Sequence, residues 1–457
     1  MILETLLLLL PLACKGTTAA AATDDAQSGS AAVVAVPMKQ SSYGPVFNLT
    51  VGTPPQPLTV LSDWTWMSFF TRSAYCDGSY NVSNCIPAGQ GWFDDHASST
   101  FQNSTSYAPT GWANTAFLPG EDFNVTYASD VVCLEASSDA AAGDSSQSCT
   151  PATVFQLSDF DVALTSALPF AGIFGLSPVL PGSNASFYPA SYQAYLNDTL
   201  AGALVGYHSC ANLASSSSCA GGDMLTVFGG TANSSVFDPS SVAYLDVETE
   251  PCITISAPLD FRPARDNFWS LRWTGFWIGD QAVDLNISSS SSSSSKSTSS
   301  SSPACTDSSP LAVLDEGSEG VGAPVPSSAY DALVAAANAT VAANQSVALN
   351  TGNQTYYTVP CAAISTLPTL TYELGAAQNY TIAPAQYVVS VPPTTTTTTT
   401  DGTAPTNTCY LNAKTWALGP DAPAAFFGST FFGNLYVVFD FEGLRVGLAP
   451  LNQQLFS

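Results

Sequence analysis

The chain has 457 residues, with Lys plus Arg at 9 against Asp plus Glu at 35, for a net charge of -26. That length suits two lobes, each able to bury a core, and 46% hydrophobic with 11% aromatic content excludes a disordered chain. So few cations exclude nucleic acid and anionic membrane as partners.

The first element is a short apolar run, Thr5 to Cys14, too short to span a bilayer. Small residues follow it, so residues 1–22 read as a secretory signal peptide, although Glu4 stands where a cation is usual. No later run reaches transmembrane length. Residues 23–42 are rich in Ala, Ser and Asp and read as a flexible lead-in. From Tyr43 the grammar is strand and turn: Val46 to Val51, a Gly52-Thr53-Pro54-Pro55 turn, then Leu58 to Leu61. Helical patterns are sparse, the best being Ser327 to Ala337 behind Pro326, with a weaker one over Tyr188 to Tyr195. Low charge with abundant Gly, Pro, Ser and Thr predicts a mostly β fold. Two low-complexity inserts, 288–302 (nearly all Ser) and 394–400 (all Thr), read as exposed loops.

Export has two further supports. Asn-x-Ser/Thr sequons begin at Asn48, Asn81, Asn103, Asn124, Asn184, Asn197, Asn233, Asn286, Asn338, Asn344, Asn353 and Asn379. Removing Cys14 with the leader leaves an even set of cysteines. Cys76/Cys85, Cys133/Cys149 and Cys210/Cys219 would close local loops, and Cys252/Cys305 and Cys361/Cys409 longer ones. Sequence alone leaves that connectivity open, but disulfides suit a secreted, extracellular protein, with vacuole or cell wall as alternatives. No Cys-x-x-Cys pair occurs and the only histidines are His96 and His208, which argues against zinc. No metal or cofactor is expected. Few cations also limit self-repulsion once carboxylates are protonated, so the composition suits an acidic medium.

An internal repeat carries the chemistry. Apolar residues lead to an aspartate in Leu58-Thr59-Val60-Leu61-Ser62-Asp63 and again in Leu311-Ala312-Val313-Leu314-Asp315. Two apolar residues and a glycine follow each, Ile173-Phe174-Gly175 and Phe426-Phe427-Gly428, at 112 and 113 residues from the aspartate. Equal spacing points to duplicated lobes, each presenting one Asp.

These motifs resemble the pepsin-like aspartic proteases. The resemblance runs through Val51-Gly52-Thr53-Pro54-Pro55-Gln56, Leu168 to Pro178, Leu225 to Gly230 and Trp269 to Trp273. It is most specific in Phe427 to Asp440 and Val446 to Pro450. It implies a bilobal, mostly β fold with a cleft between two related β lobes, over residues 43–230 and 231–457. It also implies a monomer that takes a peptide or protein in that cleft, with Asp63 and Asp315 as catalytic carboxyls sharing a proton. One would activate water while the other polarises the scissile carbonyl.

The loops depart from the family's Asp-Thr-Gly-Ser/Thr pattern. The first reads Asp63-Trp64-Thr65-Trp66 and the second Asp315-Glu316-Gly317-Ser318. In the family the Thr after each Asp bonds the facing loop; here Trp64 and Glu316 replace both. The usual Gly and supporting hydroxyl survive as Gly317 and Ser318, but the first loop has Thr65 and Trp66 there. An indole donor and a carboxylate acceptor suggest a direct Trp64–Glu316 hydrogen bond as the new lock. The flap hairpin is expected from about Trp112 to Asp130, with Trp112, Phe117 and Leu118 as flap candidates, none carrying the usual tyrosine hydroxyl. A basic pro-segment is also missing, since Lys39 is the one cation between Ala22 and Tyr43. The expectation is therefore a secreted aspartic-peptidase-like protein with impaired or atypical acid hydrolysis. The alternatives are an active acid endopeptidase and a non-catalytic binder of peptide, glycan or partner, such as a wall component.

Overall fold

A computed structural model of the protein describes residues 31–66, 68–76, 79–80, 91–103, 110–112, 123–136, 147–158, 170–181, 183, 185, 188–248, 268–285, 309–316, 322–345, 355–375, 378–392, 407–418 and 424–457. The fold is mostly β, in agreement with the strand-and-turn reading. A 14-stranded sheet runs through the molecule. Successive neighbours in it are Leu204–Ser209, Met224–Phe228, Val34–Ser41, Gly44–Val51, Gln56–Asp63, Gly172–Gly175 and Phe69–Arg72. Beyond Leu204–Ser209 the sheet continues into Leu435–Asp440 and Arg445–Pro450, so strands from both halves of the chain share it. A second, six-stranded sheet holds Gln378–Ile382, Leu370–Leu374, Ser270–Ile278, Leu311–Leu314 and Ala424–Phe427 in that order.

The expected flexible lead-in of residues 23–42 needs correction over its second half. Val34–Ser41 is a strand, paired antiparallel with Met224–Phe228 and Gly44–Val51. The 23–42 stretch as a whole is rich in Ala and Ser, but within it Val34, Ala35, Val36 and Met38 are buried. That short apolar run supplies the core contacts that hold the strand. Lys39 lies on this strand with its ammonium on the Gly221 carbonyl at 2.7 Å and near Asp223.

Both helical expectations hold, at Ala190–Leu196 and Ser327–Ala336. Disulfides join Cys133 to Cys149, Cys210 to Cys219 and Cys361 to Cys409. Cys85, Cys252 and Cys305 lie outside the described residues, as does the side chain of Cys76. One apolar cluster spans the two sheets, taking in Trp64, Phe174, Trp269, Trp273, Phe427 and Phe439. Among the described residues, no helix is long and apolar enough to cross a membrane.

Candidate active site

The sequence repeat is a structural repeat. Gln56–Asp63 runs parallel to Gly172–Gly175, with Gly175 opposite Asp63. Leu311–Leu314 runs parallel to Ala424–Phe427, with Leu314 opposite Phe427. Each aspartate thus sits where a central strand ends. Backbone bonds fix both ends: Leu176 N–H donates to the Asp63 carbonyl at 2.9 Å, and Asp315 N–H to the Phe427 carbonyl at 2.9 Å. Glycine is required at 175 because a Cβ there would stand 2.3 Å from the Trp66 carbonyl oxygen and 2.6 Å from that of Ser68.

Asp63 and Asp315 are 5% and 3% exposed. Asp63 Oδ1 accepts three hydrogen bonds: from Thr65 N–H at 2.8 Å, Thr65 Oγ1 at 2.7 Å and Trp66 N–H at 3.2 Å. The supporting hydroxyl absent from position 66 is therefore supplied one residue earlier, by Thr65. Burial raises the Asp63 carboxyl above its ordinary value, and these three donors oppose that rise by favouring the charged form.

Glu316 is 3% exposed, and its Oε1 accepts a short hydrogen bond from the Tyr207 hydroxyl. Its Oε2 is buried without a partner among the described residues. The expected Trp64–Glu316 hydrogen bond is thus not formed. Trp64 is 1% exposed and stacks edge-on against Tyr207 at 4.8 Å, Phe432 at 5.2 Å and Phe439 at 4.7 Å between ring centroids. Its indole thus lies among aromatic rings, where packing outweighs a polar contact. Burial pushes the Glu316 carboxyl up to about 8, with the Tyr207 bond opposing and the charge of Asp315 adding. A cavity of about 450 Å³, lined in part by Ser209, Cys210, Met224, Thr430 and Gly433, reaches Glu316.

Trp66 packs against Phe70 at 5.6 Å. Thr110–Trp112 pairs with Phe123–Leu134, which gives the two arms of the expected hairpin. Tyr127 lies on the return strand, buried, and accepts from Gln156 Nε2. The hairpin positions Phe117 and Leu118, and Gly317 and Ser318 of the second loop, lie outside the described residues.

Two residues of the site escaped the sequence reading. Trp269, which enters there only within a resemblance segment, links the two aspartate strands. Its carbonyl accepts from Leu314 N–H at 2.9 Å, and its indole N–H donates to the Leu176 carbonyl at 2.6 Å. Leu176 in turn donates to Asp63, so a continuous backbone and indole path joins one aspartate strand to the other. Tyr207 is the second; its apolar strand, Leu204–Ser209, gives no sequence signal beyond a hydroxyl at a core position. A third grouping, His208 with Cys210 and Cys219, brings ligand atoms within 4.8 Å, but the Cys210–Cys219 disulfide takes both thiols.

A family model described as eukaryotic aspartyl protease matches residues 276–451. Secreted aspartic protease LUC8 of Fusarium sp is 41% identical over 435 residues, 92% of this chain and 91% of that protein. Secreted aspartic protease FUS4 of Gibberella moniliformis is 35% identical, over 92% of this chain and 91% of its own. Aspartic protease-like protein pynH of Aspergillus niger is 31% identical, over 90% of this chain and 91% of its own.

Proposed function

Because this chain belongs to the eukaryotic aspartyl protease family, we propose that it is a secreted aspartic-type peptidase acting at acid pH, with Asp63 and Asp315 as its two catalytic carboxyls. The cradle around Asp63 carries this reading. A carboxylate with three donors on one oxygen is held in place while its other oxygen is left for a reacting water. One carboxyl takes the proton of that water as the other polarises the scissile carbonyl. The hydrolysis is atypical because the loops carry Trp64 and Glu316 where the family pattern has threonine.

Export is supported by the names of the two secreted relatives and by disulfides in an oxidising framework. The described sequon asparagines Asn48, Asn103, Asn197, Asn233, Asn338, Asn344 and Asn379 are all exposed, as glycan attachment requires. Asn81, Asn184, Asn286 and Asn353 lie outside the described residues, and the same holds for the side chain of Asn124.

A second reading, peptide binding without cleavage, draws on one observation: a third buried carboxyl, Glu316, beside Asp315. Cleavage of a peptide library at acid pH decides between them. Hydrolysis that a statine-type inhibitor blocks, and that Asp63→Asn and Asp315→Asn each abolish, supports the peptidase. Absence of hydrolysis by the folded protein rejects it.

A further inference from the structure

The two residues that follow the two aspartates touch one and the same side chain. Tyr207 donates its hydroxyl to Glu316 and meets the Trp64 ring edge-on, at 4.8 Å and 85°. Its own backbone is fixed from both sides. Tyr207 pairs with Thr226 in one neighbouring strand and Val437 in the other, the second coming from the far half of the chain. Alternation along Leu204–Ser209 turns Tyr207 toward the aspartate loops while its neighbour His208 faces the Cys210–Cys219 disulfide.

Packing alone would be served by phenylalanine. The hydroxyl is buried and bonds Glu316, which has no other hydrogen-bond partner among the described residues. Removing either partner leaves a buried polar group unsatisfied, so each residue accounts for the other. Burial and the neighbouring carboxyl hold the phenol proton on well above its ordinary range, so Tyr207 remains a donor wherever the protein is folded.

We propose that Tyr207 is a positioning residue, which sets the spacing of the Asp63 and Asp315 loops by holding Trp64 and Glu316 from a single point in the shared sheet. Tyr207 acts through these two neighbours. The inference rests on the reading of Asp63 and Asp315 as the catalytic pair, but its test has a readout that does not.

The test compares the full-length, glycosylated protein with Tyr207→Phe, Tyr207→Leu, Glu316→Leu and the double variant of Tyr207→Phe with Glu316→Leu, by amide hydrogen exchange and by peptide hydrolysis. Tyr207→Phe keeps the ring against Trp64 and removes only the hydroxyl. In Tyr207→Phe, exchange is expected to rise about tenfold in the peptide carrying Asp315, and in Tyr207→Leu, which also removes the ring from Trp64, in the peptides carrying Asp63 and Asp315 together, with Gly172–Gly175 unchanged. The double variant is expected to be no worse than either single one, because both remove the same bond. Glu316→Gln, which keeps a carbonyl acceptor, is expected to retain the protection. For hydrolysis, kcat is expected to fall about tenfold with KM within a factor of two, as for a loss felt mainly in the transition state. An unchanged Asp315 peptide in Tyr207→Phe, an unchanged Asp63 peptide in Tyr207→Leu, or additive effects in the double variant overturns the proposal. If the unmodified protein cleaves nothing, the peptidase reading fails, and the exchange data still decide the role of Tyr207.

Discussion

Glu316→Gln offers a quantitative check on the site, because the carboxyl it replaces is buried and displaced. Burial moves the Glu316 ionisation from an ordinary 4.5 to about 8. The folded state therefore holds this proton in a range where the unfolded chain has already released it. The resulting stability is fully present below 4.5 and is lost as pH rises through about 8. Between those limits the difference is on the order of 5 kcal/mol, at 1.36 kcal/mol per tenfold. Glutamine keeps the shape and the acceptor for Tyr207 but cannot ionise. Urea unfolding of both proteins from about pH 4 to 9 isolates this group, since the repulsion among the other carboxylates is common to both. The original protein is expected to lose stability relative to Glu316→Gln as pH rises, with the gap widening by several kcal/mol toward pH 8. Parallel curves over that range would refute the buried, proton-holding Glu316 described above.

Three further outcomes follow from the geometry. Thr65→Val removes the 2.7 Å hydroxyl donor to Asp63, which favoured the charged form, so Asp63 should ionise at higher pH. The acid limb of the pH–rate profile is then expected to move upward, and an unmoved limb contradicts the assignment. Trp269→Phe leaves the buried Leu176 carbonyl without its indole donor, an expected loss of about 1–3 kcal/mol in urea unfolding, accompanied by a drop in kcat. Gly175→Ala drives a methyl into two backbone carbonyls, with an expected cost of about 1–3 kcal/mol or a failure to fold; a neutral result contradicts the close approach.

Features written into local pattern were legible before the fold was known. The two aspartate strands and their apolar-apolar-glycine partners repeat in sequence, and each pair lies side by side in a sheet. Pro326 followed by an Ala-rich run marks a helix start, and the helix begins at Ser327. Val34–Ser41 was missed because averaging over an Ala- and Ser-rich stretch hides a short apolar run that only distant strands stabilise. The lock between the loops was misread for a related reason. Complementary donor and acceptor types at Trp64 and Glu316 say nothing of reach, and a third residue, Tyr207, lies between them in space. Thr65 stands where the family pattern has glycine, yet one residue of displacement still lets its hydroxyl reach Asp63. Trp269 is a core residue whose role no local pattern announces, because its indole N–H needs a buried acceptor and finds it in the carbonyl of the residue after Gly175.

The most direct test of the account is hydrolysis of a mixed peptide library from about pH 2.5 to 6, with Asp63→Asn and Asp315→Asn beside the unmodified protein. Cleavage confined to acid pH, blocked by a statine-type inhibitor and abolished by either substitution, is the predicted result. A folded protein that cleaves nothing, or one that either asparagine variant leaves equally active, would contradict the assignment of these two carboxyls.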